Sequence, residues 1–186
     1  MAPFASGIGG SAENPGKAKF SYRKYYPIRK LIFSTFKEKY NSDMSLQPVM
    51  AALLAGDTQP AVVFSTDPLL VACYSDEKDA VVMLEFPKQL AEKYALVNGS
   101  RLVASCVYKS DAFGSHASDI TLGERYLGNY SDFFPIVQLF IAKNDKKIQK
   151  RTELFSEEQW ERVQTLAAEY HATHADIKRD GFFYLK

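Results

Sequence analysis

His116, Asp119 and Arg125 fall in one stretch, residues 109–135, whose side chains are of the kind that do chemistry. A histidine acts as a general base when a carboxylate orients its ring, and an arginine grips an anion through its planar fork of donors. Tyr126 and Tyr130 follow in the same stretch, and tyrosine and arginine are frequent anchors of protein interfaces. Twenty-seven residues without a helical or strand period is long for a connection inside a compact domain. Such a stretch serves a function, lacks structure, or conceals an element, here a short helix over residues 120–127. Gly114-Ser115-His116 is not a nucleophile elbow, which requires G-x-S-x-G on a strand-to-helix turn. Three readings follow: a loop that covers the sheet, a loop that holds a partner or ligand, and a catalytic loop.

A second group lies in residues 17–40, which carry eight basic side chains against the single acid Glu38. Seven aromatics are interleaved with them: Phe20, Tyr22, Tyr25, Tyr26, Phe33, Phe36 and Tyr40. Cations neutralise phosphates while rings stack on exposed bases, so single-stranded nucleic acid is a candidate partner, with Arg23, Lys24, Arg29 and Lys30 as its contacts. An acidic protein would also be attracted, and an anionic membrane surface less strongly. The plainer alternative is that acidic side chains elsewhere in the chain pair with this segment. Its net charge of +6 over residues 1–40 is set against −6 over residues 41–142.

His171 and His174 stand three apart, a spacing that puts both on one helix face and within reach of one metal ion. A third ligand would have to come from Glu169 or Asp176, and neither spacing matches a known metal pattern. His174 also continues the apolar stripe from Trp160, which makes packing the simpler account. No phosphate-cradling glycine loop, Cys-x-x-Cys pair or H-E-x-x-H is present. The sequence therefore calls for no metal and no cofactor.

The elements that must position these groups read as follows. Residues 69–74 and 80–86 are apolar, strand-forming runs joined by Ser75-Asp76-Glu77-Lys78-Asp79, a connector too polar to bury, and so form an antiparallel hairpin. In its second arm Val82, Leu84 and Phe86 share the face directed at the core. Further strands are expected over residues 61–65, 101–109 and 137–142, and a terminal one over 182–185. A helix should open at Pro27 and carry Ile28, Leu31, Ile32 and Phe36 as its stripe. A second should start near Ser45 and end at Gly56, and residues 87–94 should hold one or two helical turns. Ser156 and Gln159 form a capping box for a long final helix bearing Trp160, Val163, Ala167 and Tyr170.

Helices, then strands with hairpin-sized connections, then a helix argue for the α+β class: a mainly antiparallel sheet of about five to six strands with N-terminal and C-terminal helices packed on it. Residues 1–16, rich in Gly, Ala and Ser, read as a disordered tail before a single domain over 17–186. No run reaches the roughly 18 apolar residues of a membrane span, and the N-terminus lacks the basic and apolar regions of a signal peptide. Cys73 and Cys106 fall in strands and read as small buried hydrophobes, in keeping with a cytoplasmic protein. The function these features favour is non-enzymatic binding of a macromolecular protein partner, as an inhibitor, adaptor or assembly subunit. The alternatives are an enzyme or small-ligand protein using the 109–135 loop, and single-stranded nucleic-acid binding through residues 17–40.

Overall fold

The computed structural model describes residues 14–44, 46–109, 116–126 and 130–186. The chain opens with helices α1 (Tyr22–Ile32), α2 (Phe36–Met44) and α3 (Leu46–Ala55). Strands β1 (Asp57–Thr66), β2 (Leu69–Ser75) and β3 (Ala80–Phe86) follow, then α4 (Gln89–Lys93), β4 (Arg101–Lys109), β5 (Thr121–Leu122) and β6 (Asp132–Val137). The helices α5 (Gln138–Ile141), α6 (Asp145–Lys150) and α7 (Glu157–Thr173) and the strand β7 (Arg179–Asp180) complete the order. The strands form one sheet in the order β5-β3-β2-β1-β4-β6. All its ladders are antiparallel except that of β7, which pairs parallel with β3. This is the α+β arrangement expected from the sequence.

The β2–β3 hairpin forms in the expected register, Leu69 opposite Phe86 and Ser75 opposite Ala80. Its connector is not the solvated turn that its charges suggest: Ser75, Lys78 and Asp79 are all buried. Nor does only one face of β3 meet the core, because every residue of β2 and β3 except Glu85 is buried. Helix α7 packs across β1, β2 and β3 on the side that carries Tyr74 and Asp79. On the opposite side Phe86 meets the rings of Phe140 and Phe182, with centroids at 4.7 and 5.1 Å. A sheet covered on both faces needs apolar residues at consecutive positions, and the continuous Val-Val-Met-Leu run supplies them.

Several boundaries moved for identifiable reasons. Helix α1 starts five residues before Pro27. Pro27 and Arg23 are both exposed, so the carbonyl that lacks an amide donor lies on the wet side of the helix. The anchor is Tyr25, buried, with its hydroxyl donating to Asp43 at 2.6 Å and lying 2.9 Å from the Ser42 hydroxyl. The chain then breaks at Phe33, and α2 begins with its own capping box. Glu38 accepts from the Thr35 amide at 2.9 Å, while the Glu38 amide donates to the Thr35 hydroxyl at 3.2 Å. Strand β1 runs from Asp57 through Pro60, which is tolerated because the β2 ladder begins only at Ala61.

The strand expected over 137–142 is instead β6, at the sheet edge and through Pro135, followed by the helical turn α5. The turn is fixed by buried Gln138, whose amide donates to the Ser105 hydroxyl at 3.0 Å. Where a short helix over 120–127 is the alternative, the described residues form the strand β5 followed by a turn, and residue 127 lies outside them. The terminal strand expected over 182–185 is a 3-10 turn (Phe183–Leu185) after β7. Asn14, Pro15 and Gly16 do not belong to a disordered tail. The Asn14 amide donates to Asp57 at 3.0 Å and the Gly16 amide to the Gly56 carbonyl at 2.8 Å. The rest of that expected tail, residues 1–13, lies outside the described residues.

Gly181 is required by close approach, since a Cβ there would run into the Phe86 ring. That ring is held by Phe140 and Phe182 and cannot yield. Gly181→Ala is expected to destabilise the fold by about 1–3 kcal/mol, the usual cost of overpacking, as measured by urea unfolding. Wild-type stability in that variant would show that the C-terminal turn is not part of the packed core.

Candidate functional site

Among the described residues of the 109–135 stretch, Asp119 and Asp132 are bound into the fold by Arg179. The Asp119 carboxylate takes two hydrogen bonds from Arg179, each 2.7 Å, through Nε and Nη2. Arg179 also donates to Asp132 Oδ1 and to the Phe133 carbonyl, both at 2.9 Å. The Arg179 hydrogen bonds hold the Asp119 carboxyl below the ordinary value. Burial pushes the Asp132 carboxyl upward, against the pull of the same arginine. Nothing in the sequence marks Arg179, because its partners lie 46 to 60 positions away. Among the described residues Asp119 makes no hydrogen bond to His116, whose ring meets Tyr126 edge-on at 6.1 Å.

Arg125 reaches Glu158 at 3.0 Å, with side chains 70% and 77% exposed, a geometry worth little in water. Its amide does more, donating to buried Asp79 at 2.7 Å. Asp79 further accepts from Tyr74 at 2.8 Å and from Arg162 at 2.6 and 3.2 Å, so α7 is tied to the hairpin tip. Burial pushes the Asp79 carboxyl upward, but Arg162, Tyr74 and the Arg125 amide outweigh it and hold the group below its ordinary value. The neighbouring Lys78 ammonium donates to the Tyr130 carbonyl and lies 4.5 Å from the centre of the Tyr126 ring. Burial pulls its pKa down, with Asp132 opposing. The Tyr130 ring stacks on Tyr108 at 4.7 Å. Lys78 thus meets Tyr126 and Tyr130, and Arg179 holds Asp119.

The basic-aromatic segment divides differently. Phe20, Tyr25 and Phe33 are buried, while Tyr22, Tyr26, Phe36 and Tyr40 stand on the surface. Of its four singled-out cations, two are engaged: Lys24 with Asp145 at 2.6 Å and the Leu139 carbonyl at 2.5 Å, and Arg29 with Asp43 at 2.8 Å. Arg23, Lys30 and also Lys37 are exposed, and among the described residues none forms an ion pair. On α2, Phe36, Tyr40 and Met44 recur every fourth residue and remain 82%, 55% and 67% exposed. Sequence reasoning assigned Phe36 to the core stripe of α1. The unread signal was Thr35-x-x-Glu38, which starts a new helix and turns that face outward.

His171 is exposed beside Phe64, and His174 caps α7 with Nδ1 2.8 Å from the Thr173 hydroxyl. Among the described residues no group of three or more His, Cys, Asp or Glu side chains is placed to hold a metal. Cys73 and Cys106 are free and buried, and burial pushes both thiols well above the ordinary value. Such thiols are poor nucleophiles. Among the described residues no helix is long and apolar enough to cross a membrane. No family model matches this chain, and no curated protein or solved structure matches it either, so a function has to be argued from the side chains themselves.

Two outcomes are expected from the buried charges. Asp79→Ala, which leaves Arg162 without its buried partner, should cost about 3 kcal/mol or more in urea unfolding; a loss within the range of surface substitutions would deny the tie. A carboxyl held low in the folded state adds stability above its unfolded pKa, and that contribution is lost as pH falls through the folded value. Asp119 should therefore contribute fully at neutral pH and lose that contribution progressively as pH falls below about 4, through its lowered folded value. Asp132, shifted the opposite way, should tolerate Asn better than Asp119 does at pH 7. Unfolding curves of Asp119→Asn and Asp132→Asn between pH 3 and 7 decide this, and equal losses in both at pH 7 would contradict it.

Proposed function

We propose that this chain is a non-catalytic interaction protein that docks an acidic protein partner on the α1–α2 face. The observation that carries the reading is the line of Phe36, Tyr40 and Met44, outward on one side of α2. Each such side chain gains about 1.5–3 kcal/mol when fully removed from water. Contiguous exposed apolar surface rimmed by polar groups is the mark of an interaction site. The Tyr22–Tyr26 pair on α1, with ring centres 6.1 Å apart, adds two rings of the amphipathic kind that interfaces favour.

Charge complementarity selects the partner. Arg23, Lys30 and Lys37 stand exposed on these two helices without ion pairs among the described residues, whereas the acids Asp43 and Glu38 are engaged by Arg29 and by the Thr35 cap. An acidic surface with apolar side chains would meet both features at once. Single-stranded nucleic acid is the second reading, favoured by Tyr22 and Tyr26 beside Arg23. It loses ground because Lys24 and Arg29 are already neutralised by Asp145 and Asp43. The 109–135 loop is a weaker candidate than either, since most of its described polar side chains are engaged inside the molecule.

Phe36→Ser/Tyr40→Ser/Met44→Ser should fold as the wild type does, because surface substitutions usually change stability by less than about 0.5 kcal/mol. Affinity capture should yield a partner with the wild-type protein that the triple variant fails to retain. With that partner purified, calorimetry should give at least a tenfold weaker complex for the variant, and a weaker one again for Lys30→Glu/Lys37→Glu. Equal affinity in both variants would sink the proposal. Salt-sensitive binding of an oligothymidylate that is lost in Tyr22→Ala/Tyr26→Ala would transfer the face to nucleic acid.

A further inference from the structure

A cavity of about 580 Å³ opens where the start of α1, the end of α4 and the turn before α6 meet. Five cations line it: Arg23 and Lys24 from α1, Lys93 from α4, and Lys143 and Lys146 around the turn. Among the described residues the only carboxylate in the wall is Asp145, already engaged by Lys24 at 2.6 Å. Arg23, Lys93, Lys143 and Lys146 form no ion pair among the described residues.

Backbone bonds hold these cations together despite their repulsion. The Ser21 amide donates to the Ile141 carbonyl at 2.9 Å and the Lys143 amide to the Lys19 carbonyl at 2.7 Å, which fixes the start of α1 against the turn. Asn144, in the left-handed region at φ 68°, accepts from the Lys147 amide and sets the turn itself. Lys24 is also tied to the Leu139 carbonyl at 2.5 Å. Burial pulls the Lys24 ammonium below its ordinary value, and the nearby charge of Lys93 pulls the same way. Tyr94, in the same wall, has its hydroxyl buried without a hydrogen-bond partner among the described residues.

A second cavity of about 500 Å³ shares Tyr94, Asp145 and Lys146 with the first and adds Leu96, Leu102 and Leu139. The two lie side by side, the first walled by cations and the second bringing three leucines beside Arg101 and Gln149, each in the size range of small-ligand pockets.

We propose that the basic cavity binds a small organic ligand bearing two or more phosphate groups, with its phosphates among Arg23, Lys93, Lys143 and Lys146 and its organic body toward Leu96 and Leu102. A concave site with cations on three sides suits a compact polyanion better than an extended strand, which needs a groove that tracks its backbone. The two readings share Arg23, but the exposed α2 side chains take no part in the cavity and Lys93, Lys143 and Lys146 take no part in the docking face, so either can fail alone.

The test is titration calorimetry at low salt with inorganic pyrophosphate and adenosine diphosphate. The wild type should bind each saturably at one site, with the nucleotide the tighter. Lys93→Gln/Lys143→Gln, at exposed positions that leave folding intact, should lose at least tenfold, while Lys30→Gln/Lys37→Gln and the Phe36/Tyr40/Met44 triple variant should bind as before. Vesicles containing phosphatidylinositol bisphosphate form a further arm. If they bind while adenosine diphosphate binds no better than pyrophosphate, the polyphosphate is a lipid headgroup and the cavity stands. No binding of either soluble probe, an equal loss in both lysine pairs, or binding of oligothymidylate alone would overturn the proposal.

Discussion

Lys78 and Asp79, side by side at the tip of the central hairpin, are buried, and the cost of taking two ions out of water has to be offset by partners in good geometry. Those partners come from the hairpin itself, the stretch after β5 and the final helix. Arg162 reaches Asp79 from the middle of α7, Tyr74 from the preceding strand, the Arg125 amide from the stretch after β5, and the Tyr130 carbonyl meets Lys78. A hairpin tip that could have been solvated becomes the point at which sheet, long connection and final helix are joined.

Arg179 performs the complementary task at the other side of that connection. Its guanidinium joins Asp119, Asp132 and the Phe133 carbonyl, which fixes the ends of the long stretch and the entry to β7. Beyond β7, the Gly181 amide bonds to the Glu85 carbonyl and Phe182 packs on Phe86. Asp119 and Asp132 are thereby committed to structure. Phe36, Tyr40 and Met44 of α2 stand exposed, and Arg23, Lys93, Lys143 and Lys146 form no ion pair among the described residues.

The legible parts of the sequence were those with local causes. The Ser156–Gln159 capping box forms as expected, Gly56 ends α3, and Gly99 takes a positive φ of 85° in the turn before β4. The hairpin strands were clear because two apolar, strand-forming runs flank a short charged connector. What escaped depended on contacts distant in sequence. Pro27 sits inside α1 because Tyr25 is anchored on Ser42 and Asp43, and Gln138 turns the chain out of β6 because Ser105 receives its amide. The pairing of Asp119 with Arg179 spans 60 positions and leaves no local trace, so the neighbouring His116 looked like the better partner. Thr35 and Glu38 are the exception, a local signal overridden by an apolar spacing that ran across the break.

Whether the buried tip organises the molecule is best decided by a double-mutant cycle on the tie between hairpin and α7. Urea unfolding of Asp79→Asn, Arg162→Met and the double variant yields the coupling between the two side chains directly. A coupling of about 2 kcal/mol or more is expected for a pair that shares a buried hydrogen-bond network. Additive effects, with a coupling near zero, would contradict the view that this ion pair holds the loop and helix to the sheet.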